Sequence, residues 1–293
     1  MKVVITGAGG LVGAEFARQL SADNDVVSLG HDELDVTNRG AVNRAILRIH
    51  PALIINCAVV GVDTSESDPS LAYSVNVVGA ENLAVAAGEN GADLIYFSSN
   101  YVFDGAIEAG SYYSIVDRQS PLNVYGHTKL AGERAVAAAH ERSFIVRTSW
   151  VFGPGKDSFL STLPAALRDG TKIRAIGDLY ASATYVRDLA KRVLEIVALR
   201  RYATYHVVNT GVCSFAEVAF EVARLVGISR NKANQLIETA RLRDFNFAAP
   251  RPHYTPMCCK VSDDLGLEPM RDWRTAVADY IHATNQPSPP ESL

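Results

Sequence analysis

The chain has 293 residues, 48% hydrophobic and 20% charged, which is enough apolar material for one large or two modest domains and too much for a mainly disordered protein. Lys and Arg number 28 against 32 Asp and Glu, a formal charge of −4, so no basic excess points to nucleic acid or an anionic membrane. The most apolar uncharged run, residues 51–62, is too short to span a bilayer.

Met1-Lys2 leads at once into Val3-Val4-Ile5, leaving no room for a signal peptide. In chain order, β-branched runs at 2–6, 25–29, 52–56, 93–98 and 143–148 predict strands, and the stretches 11–21, 39–50, 70–90 and 121–140 between them predict helices. Apolar strands separated by helices of this length indicate a parallel sheet covered on both faces, a doubly wound α/β fold. Past residue 150 the rhythm loosens, with helical patterns at 184–200, 214–226 and 272–283. The expected division is a first domain over 1–150, to which later segments can return, a smaller mixed lobe over 151–285, and a flexible tail over 286–293. Cysteines at 57, 213, 258 and 259 match neither a disulfide framework nor a zinc site, and the seven histidines lack ligand spacing. A reduced, soluble, cytoplasmic protein without metal is expected.

Between the first strand and first helix lies Thr6-Gly7-Ala8-Gly9-Gly10-Leu11-Val12-Gly13. A pyrophosphate needs bare backbone amides aimed from a helix N-terminus. Gly7 permits a tight turn, Gly10 a close approach, and Gly13 close helix-to-strand packing, which makes 1–150 a dinucleotide-binding domain. The Gly-x-x-Gly-x-x-Gly spacing resembles the extended short-chain dehydrogenase/reductase superfamily, of Rossmann fold. The second strand runs into His31-Asp32, where an adenosine ribose should lie. An acid there favours a free 2′-hydroxyl and a base tolerates a 2′-phosphate, so NADPH and NADH both stay open, as does His31 between cofactor contact and solvated loop residue.

Tyr125 and Lys129 lie four apart on a predicted helix and share a face. An ammonium near a phenol lowers its pKa, making Tyr125 a usable proton donor and acceptor. Ser99 lies just past the fourth strand, at the sheet edge where parallel sheets place active sites, and can face that pair.

At these residues the chain resembles a particular family. Residues 96–105, YFSSNYVFDG, are similar to the Ser-Thr-Asp-Tyr-Val-Phe-Asp-Gly signature of dTDP-4-dehydrorhamnose reductases. Residues 120–133, SPLNVYGHTKLAGE, resemble that family's tyrosine helix, and 147–152, RTSWVF, its next strand. The resemblance implies NADPH- or NADH-dependent reduction of a nucleotide-linked 4-keto-6-deoxy sugar in dTDP-rhamnose biosynthesis. It implies Tyr125 as proton donor, Lys129 on the nicotinamide ribose, and Ser99 on the carbonyl oxygen. It also implies phosphate contacts at Gly10, Leu11 and Val12, adenine-side contacts at Asp35 and Val36, a strand-end contact at Cys57 and Ala58, and sugar-nucleotide contacts at Asn100 and Trp150. Trp150 can alternatively be a core anchor, Cys57 a small apolar filler, and Arg251 either a diphosphate ligand or a surface arginine.

Three departures from the family pattern fall where substrate should be recognised. Asn100 replaces an aspartate, the 56–63 run is shortened and lacks a Tyr-Thr pair, and 178–184 reads DLYASAT. With the proton-transfer residues kept, these point to a reductase of altered substrate. The alternatives are a non-catalytic dinucleotide-binding regulatory subunit, resembling the beta subunit of methionine adenosyltransferase, and a sugar-nucleotide epimerase. The expected partner is the sugar nucleotide, with a homodimer open, and neither nucleic acid nor membrane.

Overall fold

The structure, a computed structural model, describes residues 1–285; the expected tail at 286–293 lies outside the described residues. In chain order the first half comprises β1 (Lys2–Thr6), α1 (Leu11–Leu20), β2 (Asp25–Leu29), α2 (Arg39–Ile49), β3 (Leu53–Asn56), α3 (Val62–Ser67), α4 (Pro69–Tyr73), a π-helical turn (Ser74–Gly79), α5 (Ala80–Asn90), β4 (Asp93–Ser99), α6 (Val124–Ala139) and β5 (Ser143–Thr148). There follow β6 (Val151–Phe152), α7 (Phe159–Arg168), β7 (Ile173–Ile176), β8 (Tyr180–Ala181), β9 (Thr184–Tyr185), α8 (Val186–Ala198) and β10 (Thr204–His206). The chain continues with β11 (Cys213–Ser214), α9 (Phe215–Leu225), α10 (Arg230–Leu236), β12 (Ile237–Ala240), β13 (Tyr254–Thr255), α11 (Lys260–Asp264) and α12 (Trp273–Asn285).

Six parallel strands form one sheet in the order β2-β1-β3-β4-β5-β10. Alternate residues leave opposite faces of a strand. Accordingly Val3, Ile5, Leu53, Ile55, Ile95 and Phe97 join α1 and α8 in one core, whereas Val4, Ile54, Leu94 and Tyr96 join α2, α5 and α6 in another. The interior strands β3, β4 and β5 are buried along their whole length, as two covered faces require. The strand order reverses between β1 and β3, which opens a crevice at their carboxyl ends.

The second half builds short sheets, β7 with β12, β6 with β9, and β11-β8-β13, around a third core on α7, α9 and α12. From this half α8 and β10 return to the main sheet.

The expected helix at 70–90 is interrupted. Its middle widens into the π turn because Asn76, fully buried, is drawn into bonds with Val60 and Thr128, a tertiary demand no local periodicity encodes. The helix expected from 121 starts at Val124, after Asn123 caps it. All four cysteines are free, and no group of His, Cys, Asp or Glu among the described residues could hold a metal. No described helix is long and apolar enough to cross a membrane.

Candidate active site

The glycine turn sits at the strand-order reversal. Gly7 has φ +64°, and a Cβ there would stand 2.6 Å from the Cys57 carbonyl and the Ala58 amide on β3's neighbouring end. A Cβ on Gly13 would meet the Gly7 carbonyl at 2.7 Å, so α1 is seated as closely as a glycine allows. The other side is open: a Cβ on Gly9 meets nothing within 4 Å, and one on Gly10 meets only the Gly7 carbonyl, at 3.3 Å. Gly10 begins α1 without any side-chain cap, and Leu11 and Val12 follow in the first turn. Packing closed on one side and backbone bare on the other fits a dinucleotide pyrophosphate.

His31 and Asp35 are exposed on the loop after β2. Thr37 donates to the Asp35 carboxylate through its hydroxyl and its amide, which together with His31 holds that carboxyl below the usual range. Val36 turns inward instead: its side chain lies against Gly79, and its carbonyl accepts from Asn82. Cys57 and Ala58 follow β3, and burial pushes the Cys57 thiol up to about 12, the behaviour of an apolar filler.

Two adjoining cavities share Ser98, Tyr125, Thr148 and Val151 in their walls. The smaller, about 160 Å³, is lined by Val12, Cys57, Ala58 and Lys129. The larger, about 500 Å³, is lined by Ser99, Asn100, Trp150, Leu179, Phe215 and Arg251. Tyr125 stands between a chamber beside the glycine turn and one walled by both lobes.

Ser99 ends β4, lines the same cavity as Tyr125, and opposes the rise of the Tyr125 pKa. Its hydroxyl donates to Asn100 Oδ1 at 3.1 Å, while Asn100 Nδ2 donates to Thr255 Oγ1 at 2.7 Å. A hydroxyl has one proton, so Ser99 can donate to a Tyr125 phenolate only by releasing Asn100 Oδ1. An aspartate at 100 would hold that proton more firmly than the amide does.

The expectation that Lys129 depresses the Tyr125 pKa is corrected. Burial pushes Tyr125 up to about 12, with Tyr101 adding to the rise and the Ser99 hydrogen bond opposing it. Burial pushes Lys129 down to about 7, with Glu133 and Cys57 opposing. Its Nζ lies 4.1 Å over the Tyr96 ring. Desolvation is the largest influence on both groups.

Trp150, at φ +39°, stacks on Phe215 with centroids 4.1 Å apart and also lines the large cavity. It is both anchor and shelf. Arg251 is ion-paired with Asp63 at 2.5 Å and lies over the Phe247 ring.

Sequence reasoning missed Glu133, Asn76, Asp63, Phe215 and Phe247. Glu133 had a usable signal, sitting four residues past Lys129. The others meet the site from distant segments and carried none.

The family described as the RmlD substrate binding domain matches residues 1–286. The dTDP-4-dehydrorhamnose reductase of Mycolicibacterium smegmatis is 38% identical over 287 residues, covering 96% of this chain and 85% of that protein. Among solved structures, a dTDP-4-dehydrorhamnose reductase from Clostridium acetobutylicum aligns with a TM-score of 0.91 at 32% identity, over 98% of this chain and all (100%) of that one. The dTDP-4-dehydrorhamnose reductase from Bacillus anthracis in complex with NADP aligns with a TM-score of 0.90 at 33% identity, over 96% and 99%.

Proposed function

Since the chain belongs to the dTDP-4-dehydrorhamnose reductase family, we propose that it reduces a dTDP-linked 4-keto-6-deoxy sugar with NADPH or NADH, using Tyr125, Lys129 and Ser99. When bound, the reduced dinucleotide supplies the hydride that the keto carbon accepts. Gly7, Gly10 and Gly13 leave room for its pyrophosphate, and Leu11, Val12, Cys57, Ala58 and Lys129 line the path toward Tyr125. His31, Asp35 and the Val36 main chain take its adenosine end.

Tyr125 donates its proton to the oxygen of the reacting carbonyl. Its raised pKa keeps the phenol protonated throughout the neutral range, the form a reductase requires. Ser99 turns its hydroxyl from Asn100 toward the phenolate as charge develops there. Lys129 takes the nicotinamide ribose and supplies a cation beneath the phenolate. Trp150 and Phe215 form an apolar shelf for the sugar, and Arg251 meets the diphosphate. Residues 1–150 then hold the dinucleotide and most of 151–285 the sugar nucleotide. A homodimer is tested by light scattering, and the cytoplasm is the proposed setting because reduced nicotinamide dinucleotides and nucleotide sugars are made there.

Tyr125 on the shared wall of two cavities, with Ser99 in one and Lys129 in the other, carries this conclusion. The test is NAD(P)H oxidation with dTDP-, UDP-, GDP- and CDP-4-keto sugars. Turnover confined to dTDP-4-keto-6-deoxy sugars is expected. Tight dinucleotide binding with no turnover would favour the regulatory reading, and sugar interconversion without net cofactor consumption an epimerase. The wall residues Asn100, Val62 and Leu179 favour a sugar other than the standard 4-keto-rhamnose intermediate. A kcat/KM of about 10⁴ M⁻¹s⁻¹ or better on that intermediate would overturn this.

A further inference from the structure

The helix that carries Tyr125 is capped by an asparagine with a second bond. Asn123, only 3% exposed, has extended backbone, and its Oδ1 accepts from the Gly126 amide at 2.8 Å. Ser, Thr and Asp cap helices as well. What asparagine adds is an amide NH₂. Here Nδ2 donates to the Pro250 carbonyl, also at 2.8 Å.

Pro250 is the centre of a strap, residues 249–251, both ends of which are held by Asp63. The Ala249 amide donates to Oδ1 at 3.2 Å, and Arg251 Nη2 to Oδ2 at 2.5 Å. Proline fixes its own φ and restricts the residue before it, so the strap is stiff. Arg251 lines the large cavity, and its buried Nη1 has no partner among the described residues. Tyr125, two residues past Asn123, lines the same cavity. One side-chain amide therefore joins an arginine with unused donor capacity to the start of the catalytic helix.

We propose that Asn123 is a positioning residue that registers Arg251 against Tyr125, so that a sugar nucleotide held by its diphosphate presents its keto carbon to the phenol. This rests on the reductase function proposed above. If the strap is released from the helix, substrate still binds, but its reacting carbon is no longer held at a fixed place relative to Tyr125. Asn123→Ser keeps a capping oxygen but is one atom too short to reach Pro250; Asn123→Asp keeps length and cap but turns the donor into an acceptor.

With a dTDP-4-keto-6-deoxy sugar and NADPH, Asn123→Ser should lose about tenfold in kcat and Asn123→Asp more, with KM changed less than about threefold. Melting temperature and dinucleotide affinity of Asn123→Ser should match wild type. In an Arg251→Met background the same change should cost no more than about twofold, because no anchored diphosphate remains to be misregistered. Wild-type kcat in Asn123→Ser, a lowered melting temperature that accounts for its loss, or an undiminished tenfold loss in the Arg251→Met background would each overturn the assignment. Absence of turnover by wild type sinks the reductase function and this inference together, whereas wild-type turnover with an unaffected Asn123→Ser sinks this inference alone.

Discussion

Glu133 and Arg147 form a doubly bonded ion pair beneath the active site, Nε to Oε1 at 2.9 Å and Nη2 to Oε2 at 2.7 Å, with both side chains buried. Glu133 also accepts from Ser98, the neighbour of Ser99, and stands one helical turn beyond Lys129. One carboxylate thus ties α6 to the ends of β4 and β5, which carry the remaining site residues. Glu133→Gln leaves a buried guanidinium without its counter-charge, and breaking such a pair costs about 3–5 kcal/mol. Denaturant unfolding should show that loss. Stability equal to wild type would mean the pair is not what joins these elements.

Tyr125→Phe removes one hydroxyl and keeps the ring, so folding and dinucleotide binding should survive while turnover falls by about 10²–10⁴. Lys129→Met should slow turnover and weaken dinucleotide binding together, and Ser99→Ala should be milder than either. Steady-state kinetics with fluorescence titration of the dinucleotide separates the three. Undiminished turnover in Tyr125→Phe would place the proton donor elsewhere.

The two sides of the glycine turn should respond differently. Gly10→Val adds atoms on the open side, so the protein should fold normally and lose at least about tenfold in dinucleotide affinity, 1.4 kcal/mol or more. Gly13→Ala pushes a Cβ to 2.7 Å from the Gly7 carbonyl and 2.8 Å from Ala8 Cα. Overpacking of that kind costs about 1–3 kcal/mol and should lower the melting temperature even without dinucleotide. A Gly10→Val protein with unchanged affinity would remove the pyrophosphate from this turn.

Lys129 makes the stability of the dinucleotide-free protein depend on pH. Its pKa is lowered on folding from 10.5 to about 7, so between those values the unfolded chain binds more protons than the folded one, and stability rises with pH. Below about 7 the lysine is charged in both states and the full cost of burying it is felt; above 10.5 it is neutral in both and the cost is gone. Melting temperatures of wild type from pH 7 to 9.5 should carry this upward contribution, and Lys129→Met should lack it and be more stable at pH 7. Identical pH slopes for the two proteins would show that the lysine is not buried as a charge.

Local pattern in the sequence was enough for much of this protein. The β-branched and aromatic runs marked β1, β2 and β5 at their observed ends, because such side chains suit a pleated strand whether it is buried like β5 or lies half-exposed at the edge like β2. The glycine spacing and the four-residue interval from Tyr125 to Lys129 were legible for the same reason, since turn geometry and helical pitch act over a few residues.

Only the tertiary structure decided the rest. Asp63 meets Arg251 and Asn123 meets Pro250 across 188 and 127 residues, separations at which no periodicity survives. The π turn answers to Asn76 and its partners on other elements, and β10 reaches the sheet after a long excursion through the second lobe. The ionisation of the Tyr-Lys pair reversed expectation because spacing reports which groups are near, whereas burial by remote segments sets what it costs to charge them.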